Sequence, residues 1–391
     1  MNLNPNRIKE VVIIVIFSRL LIFLIAVLSD CMIADCQFPF QTPHVDIPVF
    51  GLFAKWDSFY YLDIATHGYS LKTDLWAFRP FYPIMLWLIG SPFTWYLGKW
   101  ESFLIAGLIW NMFAFVLAVV YLYKLTTLIL SEEHAYQTIL LLSLFPSSVF
   151  FTAIYPESTY LLLTVASFYY LEKDKFFRAI ILAALAGFTR PEGLLIFIPF
   201  LLKALNLKGS KKLELLIGSA IIVYTLPAFM LYGYIITDDP YIPFKAETQW
   251  PKATLYNLLT CAYREELVNE SVDRLAAYFI STIILIIAIF SILILLPKFR
   301  NLKDSLWAKL MLIWRDKKMP YYAWAISLLG ALLFQGGYAG LPRFASTLFP
   351  ILWGNTIWIN KRQLRTHMLL SFYTCLMTLG TALFVNWYYF L

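Results

Sequence analysis

Apolar runs close to the length of a bilayer crossing recur from one end of the chain to the other. They fall at 8–28, 101–123, 136–154, 156–172, 212–236, 275–297, 321–341, 344–360 and 368–390, near the ~20 residues that a spanning helix needs. The runs are continuous rather than alternating, so they read as helices and not as barrel strands. Residues 176–206 are also apolar, but "TRPEG" interrupts them at 189–193. One unbroken helix there would be about 46 Å long, too long for a single crossing. Basic flanks on both sides, "KDK" and "KGSKK", favour two short spans meeting at the proline break. The pattern predicts about eleven transmembrane helices.

The run "PFYPIMLWLIGSPFTWYL" at 80–97 carries Pro80, Pro83 and Pro92. It is expected to lie along the interface rather than to cross. Charge decides this, because short cytoplasmic loops are enriched in Lys and Arg. With a cytoplasmic N-terminus and eleven spans, most basic residues fall inside and most acidic residues outside. A crossing at 80–97 would turn the basic loop 298–318 outward. The outer surface is then built mainly from two long loops, 29–100 and 237–274.

Composition strengthens the membrane reading. The chain has 391 residues, of which 60% are hydrophobic and 14% charged, and its mean hydropathy is +0.69. A soluble domain of that make-up would expose large apolar patches. The first run starts almost at the N-terminus, is of spanning length and lacks a small-residue cleavage site, so it reads as a retained helix. Aromatic residues make up 18% of the chain, which suits interfacial belts and a surface that handles sugar or lipid. The tripeptide "NES" at 269–271 is a glycosylation acceptor pattern on the expected outer side. Cys31, Cys36 and Cys261 also fall outside; Cys31 and Cys36 are either a disulfide pair or free thiols. There is no Cys/His set with zinc spacing, no Gly-rich phosphate loop and no nucleotide-binding βαβ unit. Neither a metal nor a cofactor is expected.

Chemistry concentrates in "FAKWDSFYYLDIATHGYS" at 53–70. Residues 57–67 have no Gly or Pro and predict a short helix ended by "HG". Asp57, Tyr60, Tyr61 and Ile64 share one face, while Asp63 and His67 share another. At headgroup height a partly desolvated Asp57 is a stronger proton acceptor. The same residue also reads as a helix N-cap, and Asp63 with His67 as a solvated surface pair.

"KWDSFYYLDIATHGYS" followed by "WAFRPFYPIM" resembles the first-loop signature of the GPI mannosyltransferase 2 (PIG-V) family. "LFPSSVFFTAIYPESTYLLL" at 144–163 is similar to a second family segment, and "SRLL" in the first span also fits. "GLPRFASTLFP" at 340–350 is a looser match. The chain has "TRPEG" where the family has an Arg-Ser-Asn-Gly type of turn, and "FRPFYP" where two adjacent Phe residues are usual.

The resemblance implies a single GT-C type domain over 1–391, an all-α polytopic membrane glycosyltransferase. It implies a polyprenyl phosphate sugar donor, typically dolichyl phosphate mannose, used on the extracytoplasmic or lumenal side. The acceptor is then a glycolipid or another lipid-linked glycan. Asp57 matches the family's first-loop carboxylate and is the implied general base of an inverting transfer. The departing lipid phosphate needs cations rather than a general acid. Arg79, Arg190 and Arg343 are the candidates, with Arg343 first because "GLPRF" places it at a tight outer turn. Each also reads as an interfacial anchor or as a partner for Glu157 or Glu192. Trp56, Tyr60, Tyr61, Asp63, His67 and Glu157 are candidate acceptor- or sugar-binding residues. Glu157 also reads as the cap of the following helix. Arg19, inside the first span, is either functional or paired with a buried carboxylate. The competing functions are a lipid or sugar transporter and a non-catalytic assembly subunit. The absence of an internal repeat weakens the first. The membrane is a prokaryotic cell membrane or the endoplasmic reticulum.

Overall fold

The continuous apolar stretches fold as helices because only a helix satisfies its own backbone in lipid. The computed structural model describes residues 5–33, 48–249, 272–297, 311, 314–335, 340–360 and 362–388, and no strand occurs among them. Five helices there are long and apolar enough to cross a membrane: Arg7–Met32, Lys99–Ile129, Gly209–Thr237, Ala277–Leu295 and Gln363–Val385. They present Ile13, Phe17, Leu20, Ile217, Ile235 and Ile286 outward, as a multi-pass membrane protein does. The remaining apolar runs form shorter helices. Cys36, Cys261 and the 269–271 tripeptide lie outside the described residues, as does most of the basic loop 298–318.

Helix Lys99–Ile129 is a central post. Glu157–Glu172, Phe81–Gly90 and Glu132–Ser143 pack on it. Glu157–Glu172 then packs on Phe176–Thr189, which packs on Gly209–Thr237. The first helix meets the last, Gln363–Val385, so both ends of the chain contribute to one wall.

Three local breaks interrupt the apolar runs. The expected span 136–154 is not one helix. Glu132–Ser143, started by Ser131 whose side chain accepts from the His134 N–H, stops at Ser143. Pro146 follows; it forces Phe145 out of the helical region and lacks an amide proton. The chain then turns through a 3₁₀ segment, Ser148–Phe151, before Glu157. A second break lies at "TRPEG", where Phe176–Thr189 ends, Arg190 is extended, and Pro191–Ile196 is a 3₁₀ turn leading into Phe197–Leu205. Gly193 is required here, because a Cβ would overlap the Ala186 carbonyl. The third break divides the expected span 344–360 into Leu341–Thr347 and Phe349–Ile359, with the junction just before Pro350.

In the first loop, Ser58–His67 is helical and Gly68 ends it at φ 77°, a conformation that favours glycine. Residues 81–90 form a ten-residue helix, about 15 Å long and half the thickness of a bilayer core. Its outward face carries Ile84, Trp87 and Leu88.

Candidate functional site

Arg190 at the "TRPEG" break, Glu157 at the start of its helix and Arg343 in Leu341–Thr347 join at the N-terminal end of Ser58–His67 through a chain of hydrogen bonds. Asp57 occupies the N-cap position of Ser58–His67, but its side chain makes no cap hydrogen bond. Arg343 Nη1 donates instead to Asp57 Oδ2 at 2.6 Å. The capping role that the sequence allowed is therefore not the one the carboxylate takes. The residue before it, Trp56, has φ 55°, a left-handed conformation costly for a bulky side chain.

Arg343 also donates through Nε to Glu157 Oε1, and Arg190 donates through Nη1 to the same oxygen. Arg190 further contacts Glu192 through Nη2 at 2.9 Å and Nε at 3.3 Å. Charged groups thus alternate in one row: Asp57, Arg343, Glu157, Arg190, Glu192. Glu157 is the hub. It begins helix Glu157–Glu172, and neither it nor the N-cap Pro156 makes a side-chain cap bond. Glu157 makes no cap bond and is buried between the two arginines, its side chain 0% exposed against 17% for Asp57. The Asp57 end is the more open end of the row, at 17% against 11% for Glu192.

Tyr155 was not singled out by the sequence, yet it organises the open end. Its hydroxyl accepts from the Asp57 N–H at 3.1 Å and lies 3.3 Å from the Lys55 carbonyl as donor. The Arg343 guanidinium stacks 4.5 Å above its ring. Tyr61 is buried and meets Phe78, Tyr82 and Tyr155 edge-on. Tyr60 stacks on Phe78 with ring centres 4.7 Å apart. Burial, with help from Asp74 and Asp57, pushes the Tyr60 phenol up to about 12, so it stays protonated at neutral pH. Trp56 packs against Trp387 at 5.7 Å, and Phe59 stacks on the same ring at 5.9 Å. Trp387, near the C-terminal end, carried no sequence signal.

Three expected residues lie away from this row. Asp63 and His67 bond each other at 2.7 Å, and Lys72 approaches Asp63 at 3.5 Å. His67 is largely exposed, and no hydrogen bond joins this group to the Asp57 row among the described residues. Arg79 is buried with its guanidinium 4.7 Å above the Phe229 ring. Arg19 does not meet a carboxylate. It donates to the Ser143 carbonyl at 3.0 Å and to the Ser148 carbonyl at 2.7 Å. Those oxygens sit at a helix C-terminus and the following turn, where carbonyls lack intrahelical partners and the dipole attracts a cation. Among the described residues no group of three metal-ligating side chains occurs.

A family model described as "Mannosyltransferase (PIG-V)" matches residues 8–206. The human GPI alpha-1,6-mannosyltransferase 2 is 32% identical over 206 residues, 49% of this chain and 41% of that protein. The Cricetulus griseus protein of the same name is 31% identical over 218 residues, 52% and 43% of the two chains. The chain thus spans less than half the length of these curated relatives in each alignment. A crystal structure of the Archaeoglobus fulgidus oligosaccharyltransferase covers 94% of this chain and 53% of its own, with a TM-score of 0.46 and 13% identity. The matched segment 8–206 contains Asp57, Arg79, Glu157 and Arg190, whereas Arg343 lies beyond it. Since that segment is just over half of the 391 residues, the chain belongs to the mannosyltransferase (PIG-V) family.

Proposed function

We propose that this protein transfers a mannose-type sugar from a polyprenyl (dolichyl) phosphate donor to a lipid-linked glycan. We take 1–391 as one GT-C type domain of about eleven spans, with the Asp57 loop on the extracytoplasmic or lumenal side and 80–97 along the interface. One observation carries the reading: the Asp57 carboxylate leaves its capping duty, is gripped through Oδ2 by Arg343, and retains partial exposure. Arg343 fixes the direction of the carboxylate, and Oδ1 is the oxygen that takes the proton.

In the reaction, Asp57 removes the proton of an acceptor hydroxyl as that oxygen bonds the anomeric carbon. The bond from that carbon to the phosphate oxygen breaks, and its electron pair leaves with the lipid phosphate. Attack opposite the leaving group inverts the anomeric centre. The outer arginines Arg343, Arg190 and Arg79 supply positive potential where negative charge grows. Tyr60 keeps its proton and does not compete as base. Trp56 and Tyr60, both part-exposed, form the aromatic wall that would face the sugar, with the buried Tyr61 packed behind them.

The test uses the purified full chain, a short-chain polyprenyl phosphate mannose and a glycolipid acceptor. Asp57→Asn is expected to lower transfer by about 10²–10⁴-fold, the range for loss of a general base, while membrane insertion and folding persist. Equal turnover by the two proteins rules out Asp57 as the base. No transfer by either, across several donors, returns the transporter and assembly-subunit readings.

A further inference from the structure

Four buried arginines lie in the described structure: Arg19, Arg79, Arg190 and Arg343. Three are saturated. Arg19 binds backbone carbonyls, and Arg190 and Arg343 bind carboxylates. Arg79 differs. It is 5% exposed, and its Nη1 is buried with no hydrogen-bond partner. No carboxylate approaches it within ion-pair distance among the described residues; Glu247 and Glu192 act on it only through space. Burial consequently pulls the Arg79 guanidinium below its ordinary value. An unpaired buried cation is costly to a fold and persists where something else satisfies it.

Among the described residues the surroundings offer no internal remedy. Phe229 faces the guanidinium, Tyr69 and Trp76 pack on Phe229, and Tyr232 packs on both of those rings. Two polar groups of that cluster are already engaged: Tyr69 donates to the Phe78 carbonyl at 2.6 Å and Trp76 to the Ser70 carbonyl at 2.9 Å. The short helix Ile242–Glu247 packs on this cluster from the other side. Arg79 directly follows Phe78, the ring that receives Tyr60 and Tyr61 from the Asp57 helix. Arg79 is therefore a vacant cation one aromatic layer away from the row of paired charges.

We infer that Arg79 is the docking point for the phosphate of the polyprenyl phosphate donor, held by the guanidinium fork beside an aromatic wall that suits a lipid-linked headgroup. This rests on the proposed sugar-phosphate chemistry and refines it. Arg343, the first choice from sequence, stays with Asp57 and Glu157. The cation that meets the phosphate and the cation that aims the base are then different residues. Phosphate docks and departs without breaking the Arg343–Asp57 contact.

The experiment measures binding, not turnover. Purified full-length wild type, Arg79→Gln and Arg79→Lys are titrated in detergent micelles with farnesyl phosphate, farnesol and phosphatidylinositol, and melted with and without each. Wild type is expected to bind farnesyl phosphate in preference to farnesol and to melt at a higher temperature with it. Arg79→Gln is expected to weaken that binding at least about tenfold, as loss of a charge-assisted pair does. Arg79→Lys, a point charge without the fork, is expected to fall between. The ligand-free Arg79→Gln protein is expected to melt no lower than wild type, because an unbonded charge has been removed.

Binding by Arg79→Gln within about twofold of wild type overturns the assignment. So does a ligand-free melting point lowered by several degrees, which marks a structural arginine. Selective loss of phosphatidylinositol binding would mean that the anion is the acceptor's phosphodiester, and the donor assignment fails. If wild type binds no farnesyl phosphate, the proposed function falls with it. If wild type binds and Arg79→Gln binds equally, only this inference falls.

Discussion

A carboxylate buried between two guanidinium groups is worth most when all three are present. Glu157 is fully buried and receives both Arg190 and Arg343 on one oxygen. Replacing it with Gln keeps the shape but leaves two buried cations facing each other. Breaking a buried pair in this way costs about 3–5 kcal/mol, so Glu157→Gln is expected to melt well below wild type. Asp57→Asn, at the partly exposed end, is expected to melt close to wild type, and a melting curve of each purified protein compares them. Tyr155→Phe tests the other support of Asp57. It removes the acceptor of the Asp57 N–H and a donor to the Lys55 carbonyl, worth about 1 kcal/mol each. Transfer is expected to drop about tenfold through kcat, with donor KM unchanged; a change confined to KM would place Tyr155 in binding. At this scale the sequence showed which groups were ionisable but not how they pair. Asp57 and Arg343 are separated by 286 positions, and no local pattern encodes such a contact.

The elements that carry these residues are defined by where helices stop. Pro146, Pro191 and Pro350 each end a helix for the reason any proline does, and the break at "TRPEG" was legible from the proline together with the length of the apolar run. The break after Ser143 was not, because 136–154 is apolar throughout and hydropathy does not register a turn. What holds that turn is Arg19, reaching the Ser143 and Ser148 carbonyls from the first helix. Arg19→Met is expected to cost about 1–3 kcal/mol, since it strips the buried Ser148 carbonyl of that donor while the Ser143 carbonyl keeps the Ser148 hydroxyl. The loss would appear as early melting and faster proteolysis near residues 143–156. Gly193→Ala is a sharper probe. The added Cβ meets the Ala186 carbonyl, and overpacking of this kind costs about 1–3 kcal/mol. It would shift Arg190 away from Glu157, so transfer should fall more than stability alone explains.

The whole molecule has to present the Asp57 row to the correct side of the membrane, and orientation is a property of the entire chain. The proposed topology, drawn from the charge bias of the loops, has the 53–70 segment outside. A single cysteine at His67, which is exposed, is expected to react with a membrane-impermeant thiol reagent added from the outer or lumenal side. The native cysteines must first be replaced, since Cys31 and Cys375 are exposed thiols. Reaction only from the cytosolic side would overturn the proposed topology and, with it, the role of Asp57.

The chain by itself determined the helical class, the membrane environment, the family and the shortlist of ionisable residues. It did so because hydropathy, proline breaks and segment motifs act over short stretches of chain. Only the tertiary structure decided that Glu157 joins two arginines, that Tyr155 supports Asp57 while Trp387 packs on Trp56 and Phe59, and that Arg79 stands unbonded among the described residues. Those outcomes come from the packing of helices remote in sequence. Whether a buried charge is paired or left waiting depends on what the other helices bring to it.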